Sequence, residues 1–571
     1  MAKQIIEQLT LLAIWRREFR GYNFALFRRD LLAGLTVGAV ALPLALAFGV
    51  ASGADAAAGL ITAILAGLLI AGFGGAAYQI SGPTGAMSAV LIVLAQRYGL
   101  SGIWVACLMA GIFMLLLGVF KLGRYIAFIP SPVITGFTSG IALIIAIGQI
   151  DNVLGVSTAK ADSALEKLFH YLTNPPIPDW HALVVAAVVM IAMVIMPKIN
   201  KTIPGSLVGI ALATILAVLL GWDVQRIGAI PQTLLLENRL TWAAIPWEHL
   251  TELVPAAISI AALGAIESLL CGAVGANMTG EPFDSNQELI GQGIGNLIIP
   301  FFGGVPATAA IARTSVAIKS GAATRMTSFV HAGVLLASVF VLGPLIGQIP
   351  LAALGGVLLM TAWRMNEWES IHFFARARIK HALAGMFVTM LATVALDLTQ
   401  AILIGIAISA LIYLQQSAGA TAVKGEPVNL ARMRLMGHNL QVPCPKVHVY
   451  YLTGPIFFGS VHYVLESFET ARDYRTLIIS MRGVPMIDIM GAQALTQIIE
   501  EQIKRGGEVY FSGVQPAVRE MLGRTGVLEL VGEARVFWSA DQAILAVHRY
   551  HEETGCAHCR AHPEEIVALQ A

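Results

Sequence analysis

Two short stretches of this chain carry the residue types that hold an anion inside a membrane. Ser81-Gly82-Pro83-Thr84-Gly85-Ala86 and Gly304-Val305-Pro306-Ala307-Thr308-Ala309 each put Gly, Pro and Thr at the head of an apolar run. The runs end at Arg97 and Lys319, about 14 residues on, with Arg313 inside the second. At 1.5 Å per residue that is roughly 21 Å, too short for a hydrocarbon core of roughly 30 Å. Proline fits the first turn of a helix, where its missing N–H costs nothing. The spacing therefore predicts two half-helices starting at Pro83 and Pro306. Facing N-termini would offer free N–H groups and positive dipole ends to an anion.

Arg313 follows Pro306 by seven residues, two turns along the second of these segments. Intramembrane Arg is costly and marks function by default; its fork of donors suits carboxylate, sulfate or bicarbonate oxygens. A snorkelling or carboxylate-paired Arg313 is the structural alternative. Glu267 sits mid-run in Ala262-Leu263-Gly264-Ala265-Ile266-Glu267-Ser268-Leu269-Leu270. It reads either as a proton carrier or as the internal partner of Arg313. Glu288 and Asp397 lie near the ends of apolar runs and read as interfacial.

Those residues need a membrane domain to position them. Of 571 residues 57% are hydrophobic and 12% charged, against roughly 25% charged in soluble proteins. A soluble enzyme, a disordered regulator and a disulfide scaffold all fit badly. The net charge of +1 gives no reason to expect nucleic acid. Apolar segments fall near 31–50, 56–76, 83–97, 101–121, 131–150, 182–197, 203–221, 252–271, 286–300, 306–320, 325–347, 350–363, 381–396 and 399–416, fourteen in all. The two Gly/Pro-headed segments stand seven apart, so the second half enters the membrane inverted. Matched interrupted segments in two inverted halves point to a transporter's binding site. Pro43 precedes Pro83 by 40 residues much as Glu267 precedes Pro306 by 39, which pairs the first segment with the eighth and draws Phe48 into consideration.

Lys and Arg set the direction. With the N-terminus inside, inner connections collect ten of them and outer ones five. Cytosolic termini and a plasma (inner) membrane location follow. Residues 1–30, with Arg16, Arg17, Arg20, Arg28 and Arg29, read as an amphipathic cytosolic segment rather than a cleavable signal.

Residues 421–571 hold 30 of the chain's 71 charges. The expected division is thus 31–420 for the transmembrane domain and 421–571 for a linker, a cytosolic domain and a short tail. In the latter, strand-like 446–458, 475–481 and 508–514 alternate with helical 460–470, 488–504 and 516–524, an α/β pattern. The five cysteines suggest no disulfide framework. Cys556, Cys559 and His562, with His551 or His558, form a weak zinc pattern lacking a second CxxC. No cofactor motif is read.

These residues resemble the sulfate permease (SulP) family, whose animal relatives include pendrin and prestin. The pieces that carry the resemblance are DLLAGLTVGAVALPLALAFGVASG (30–53), SGPTGA (81–86), LGAIESLLC (263–271) and PATAAIARTSVAIKSG (306–321). The C-terminal alternation resembles a STAS domain. AIESLLC followed by MTG (278–280) looks most like the bacterial C4-dicarboxylate branch.

The resemblance implies fourteen spans in a seven-plus-seven inverted repeat, a core domain moving against a gate domain, and a homodimer. It places the anion at Thr84, Gly85, Ala86, Ala307, Thr308 and Arg313, flanked by Phe48 and Glu267. Sodium-coupled bicarbonate members have Asp and Thr where this chain has Glu267 and Cys271, so a sodium site does not transfer. Some animal members have Gln and Phe where this chain has Leu44 and Thr84. The STAS-like stretch has no Ser or Thr beside Asp488, against a phosphorylation switch.

The expected function is secondary transport of a small inorganic or carboxylate anion, with Glu267 carrying a proton in symport and a possible protein partner at the STAS domain. Alternatives are a nucleobase permease of the same fold, an uncoupled anion channel and a membrane-anchored signalling protein.

Overall fold

The computed structural model describes residues 10–124, 130–158, 164–200, 203–245, 247–396, 398–437, 446–468 and 474–553. The Cys556–His562 motif and Asp397 lie outside these. The chain divides into two compact units, Met1–Ala407 and Ile408–Ala571.

The first unit is helical. Its elements are α1 (Thr10–Glu18), α2 (Phe24–Ala51), α3 (Ala56–Phe73), α4 (Gly85–Val119), α5 (Ser131–Gly148), α6 (Ile150–Leu154), α7 (Ala164–Thr173), α8 (Trp180–Ile199), α9 (Gly205–Leu219), α10 (Leu250–Thr279), α11 (Ser285–Ile298), α12 (Ile311–Lys319), α13 (Met326–Ile346), α14 (Leu351–Met365), α15 (Trp368–Arg376) and α16 (Lys380–Ala395), with α17 (Leu398–Gly419) running into the second unit. Each apolar segment marked in the sequence contains a helix here. Among the described residues, eight helices are long and apolar enough to cross a membrane.

Side-chain caps fix where these helices begin. Asn23 Oδ1 accepts from Leu26 N at 3.1 Å and Asp55 Oδ1 from Ala58 N at 2.7 Å, satisfying donors that a first turn leaves free. The first membrane-length helix thus starts at Phe24, earlier than residue 31, because Asn23 stops the turn after α1. Gly99 breaks α4 with φ +69°, a conformation that L side chains rarely adopt, so the short helix from Gly85 ends there and a second one follows.

Basic α1 is fastened to the bundle rather than left free. The buried Arg325 donates from Nε to Glu18 Oε2 at 2.8 Å and from Nη1 to Ala71 O at 2.7 Å. Trp15 donates to Gly72 O at 3.1 Å. Asp30, fully buried, accepts from Thr324 N, Thr324 Oγ1, Thr327 Oγ1, Ala323 N and Tyr22 OH. This ties the start of α2 to the start of α13.

Two tiny strands join the two Gly/Pro-headed segments. β1 (Ser81–Gly82) and β2 (Thr308–Ala309) pair antiparallel, Ser81 opposite Ala309 and Gly82 opposite Thr308. Backbone that is not helical inside a bundle must still satisfy its polar groups, and this crossing does so for both segments at once. It also corrects the expected helix starts. Thr84 caps a helix that begins at Gly85, and the later one begins at Ile311, five residues past Pro306. Arg313 therefore occupies a first turn rather than a position two turns along.

The second unit is a five-stranded sheet in the order β3 (Ala422–Pro427), β4 (Val447–Thr453), β5 (Thr476–Gly483), β6 (Glu508–Ser512) and β7 (Val536–Phe537). β3 is antiparallel to β4; the others run parallel. Leu452, Leu477, Ile479 and Phe511 face one apolar core and Val449, Ile478 and Tyr510 another, so both faces are covered. Asp488 Oδ1 caps α20 (Ile489–Lys504), accepting from Gly491 N at 2.8 Å; α18 (Leu430–Leu435) and α19 (Val461–Phe468) precede it in the chain.

Candidate functional site

Because β1 and β2 are antiparallel and each feeds a helix within three residues, α4 and α12 leave the crossing in opposite directions with their N-termini turned toward one another. Arg313 reaches across that gap. Its Nη2 donates to Pro83 O at 3.0 Å, while Nη1 lies against Gly82, where a Cβ would sit 2.7 Å away. Arg313 is 1% exposed, and Nη1 has no hydrogen-bond partner. A buried guanidinium N–H left unmade is expensive.

Helix α10 forms the shared wall. Glu267 Oε2 accepts from Thr84 Oγ1 at 2.9 Å, and the next residue, Ser268, bonds Thr308 Oγ1 at 2.9 Å. Thr308 Oγ1 also donates to Gly264 O at 3.2 Å. Glu267 thus takes a hydroxyl, and Arg313 takes a carbonyl; the described ion pairs do not join the two. Phe48 closes the other side of Gly85, where a Cβ would meet Phe48 Cε1 at 3.1 Å, Met365 Sδ at 3.1 Å and Ile145 Cδ1 at 2.6 Å.

Phe48, Thr84, Gly85, Arg313, Glu267 and Thr308 are thereby brought around one crossing. Ala86 and Ala307 are buried beside them. Glu267 alone among these eight is half-buried rather than buried.

Sequence reading missed the residues that brace the crossing. Asn296 Oδ1 accepts from Ala307 N at 2.8 Å and its Nδ2 donates to Ala307 O at 2.9 Å. Thr62 Oγ1 accepts from Val305 N at 2.7 Å and donates to Val305 O at 3.0 Å. Gln292 Nε2 donates to Ser81 Oγ at 3.1 Å, and Thr314 Oγ1 accepts from Ile80 N at 3.0 Å.

Glu288 is a correction. It is fully buried rather than interfacial, accepting from Gly75 N, Ala76 N, Gln79 Nε2 and Gln292 Nε2 at 2.7–3.2 Å. The signal was present: Glu288, Gln292 and Asn296 recur every four residues along α11, a polar stripe on one helix face. Asn296→Ala would strand both the N–H and the carbonyl of Ala307 in a dry interior. We expect it to cost about 2–4 kcal/mol, seen as a lower melting temperature of the detergent-purified protein.

Among the described residues no group of three or more His, Cys, Asp or Glu side chains is placed to hold a metal ion.

Residues 27–393 match the sulfate permease family, and residues 441–543 match the STAS domain. The chain belongs to the sulfate permease family. Membership makes it a membrane transporter rather than an enzyme. Over 532 residues it is 33% identical to the putative sulfate transporter YvdB of Bacillus subtilis, covering 92% of this chain and 98% of that one. It is 31% identical to the bicarbonate transporter BicA of a Picosynechococcus strain, covering 91% and 95%.

Among solved structures, the transmembrane domain of a cyanobacterial BicA is similar at 32% identity and a TM-score of 0.61, over 67% of this chain and 98% of that one. Murine SLC26A9 in its inward-facing state shares the fold at 19% identity and a TM-score of 0.82, over 96% and 95%.

Proposed function

We propose that this sulfate permease family member is a secondary active transporter of a small oxyanion. The observation that carries the proposal is the unpaired, buried Nη1 of Arg313 between two opposed helix N-termini. Dipole ends, free amides and a forked cation all favour negative charge at one point. Thr84 and Thr308 line it with hydroxyls held by Glu267 and Gly264, which turn to an anion's oxygens on giving up those bonds, Gly85, Ala86 and Ala307 allow its close approach, and Phe48 covers it.

In this reading the chain makes fourteen spans as two inverted sets of seven, with both termini cytosolic and the protein in the plasma membrane. Residues 31–420 form the transport domain, and the STAS domain within 421–571 steadies a homodimer or receives a protein partner. Glu267 carries a proton inward with the anion, since its carboxylate shares Thr84 with the site. Alternating access follows from movement of the crossing and its helices past the rest of the bundle.

The anion is one of the oxyanion class: sulfate, bicarbonate or a C4-dicarboxylate. YvdB and BicA, named as a sulfate and a bicarbonate transporter, support the first two; the AIESLLC–MTG stretch supports the third. A panel of labelled sulfate, bicarbonate, succinate and uracil taken up by proteoliposomes tests this. Uptake of one anion and no uracil is expected. Uracil uptake with no anion would transfer the protein to the nucleobase class, whose neutral substrate has no use for Arg313.

A further inference from the structure

A cavity of about 260 Å³ opens in the first unit, lined among others by Ala51, Ser88, Ile145, Asp151, Asn152 and Lys167. Its floor adjoins the candidate site. Ser88 Oγ donates to Thr84 O at 3.0 Å, one turn from the capping hydroxyl, and Ile145 is the side chain that a Cβ on Gly85 would strike.

Its position is fixed by α2. The N-terminal part of that helix is held through Asp30 to Thr324, and its last residues line the cavity. The helix has 28 residues, roughly 42 Å at 1.5 Å each. The cavity therefore lies a membrane's thickness from the face where α1 is fastened.

Near its rim, Lys167 on α7 pairs with Asp151 at 2.8 Å, both side chains about one-fifth exposed. Asp151 does not depend on that cation. It also accepts from Tyr171 OH at 2.8 Å and from Thr158 Oγ1 at 2.9 and 3.0 Å. Burial and the Asp151 carboxylate hold the Tyr171 phenol above its ordinary range, so it stays a donor. If Lys167 swings away, Asp151 keeps two hydroxyls. A flexible ammonium is suited to such an exchange, where a bidentate Arg would hold on. The volume is several times the roughly 30 Å³ of one water, enough for a small oxyanion with part of its hydration shell.

We propose that this cavity is an antechamber in which Lys167, released from Asp151, captures the incoming oxyanion before it passes Ser88 and Ile145 to Arg313. The inference rests on the transport reading above. Asp151 competes with the anion for the same ammonium, so the two residues have opposite effects on capture.

The test is uptake of labelled sulfate and bicarbonate into vesicles of each orientation. For anion presented at the α7 face, Lys167→Ala should raise KM five- to tenfold with kcat within twofold, and Lys167→Arg should hold KM within twofold. Asp151→Asn should lower KM there. KM at the opposite face should not move in any variant.

A purely bracing ion pair would instead make Lys167→Ala and Asp151→Asn shift in the same direction, and that result overturns the antechamber. So does an unchanged KM at both faces. Transport that is normal in wild type but indifferent to Lys167 leaves the transport reading standing; no uptake by wild type in either orientation removes both.

Discussion

Arg313→Ala is expected to reduce anion uptake about 100-fold in kcat/KM while leaving the fold intact. A hydrogen bond to a charged group is worth about 1.5–3 kcal/mol, and each 1.4 kcal/mol is about tenfold. Arg313 supplies a second such bond through Nη1 once a ligand arrives. Its existing protein contact is a single bond to Pro83 O, and removing a buried cation that sits in no described ion pair strands no buried carboxylate. The Pro83 carbonyl does lose its donor, at about 1–3 kcal/mol, so the melting temperature should fall modestly and uptake is compared per folded transporter. Arg313→Lys keeps the charge but loses the fork, so it should fall between wild type and Ala. Initial rates of labelled-anion uptake, alongside thermal melts, check both halves of the expectation.

Glu267→Gln is expected to abolish the response to a proton gradient. Thr84 Oγ1 can donate to an amide oxygen as it does to Oε2, so the substitution preserves the contact and removes only the ionisable proton. With one proton moved per anion, an inward gradient of one pH unit can drive about tenfold accumulation, because tenfold in concentration and one pH unit are the same 1.4 kcal/mol. The wild type should approach that ratio, and Glu267→Gln should equilibrate to a ratio near one with or without the gradient. Gradient-driven accumulation surviving in Glu267→Gln would assign the coupling elsewhere.

Much of this architecture is legible in the chain because it is written in local terms. Apolar runs of helical length needed nothing but their neighbours to be found, and each of those segments contains a helix. In the second unit β4, β5 and β6 were readable for the same reason, being apolar and bounded by turn residues. β3 was not: AVKGEP is polar, largely exposed and contains Gly and Pro, and it is a strand because β4 offers it a ladder. β7, two residues long, left no pattern to read.

The start of α12 failed for a related cause. Proline at 306 is a sound local signal for a helix start, yet Thr308 and Ala309 are extended because Gly82 and Ser81, far away in sequence, pair with them. Asn296 reinforces this by binding both backbone groups of Ala307. No local propensity carries such information. Glu288 was misread because nearness to the end of an apolar run says nothing of burial; the four-residue recurrence of Glu288, Gln292 and Asn296 was the better guide.

The central claim is that the anion sits between the two helix starts against Arg313. A cryo-electron microscopy map of the protein with a saturating concentration of the transported anion tests it directly, compared with a map of Arg313→Ala under the same conditions. The account predicts added density within hydrogen-bond reach of Arg313 Nη1 and the first-turn amides of α4, present in wild type and lost in the variant. Density elsewhere in the bundle, or density at the crossing that survives Arg313→Ala unchanged, would contradict it.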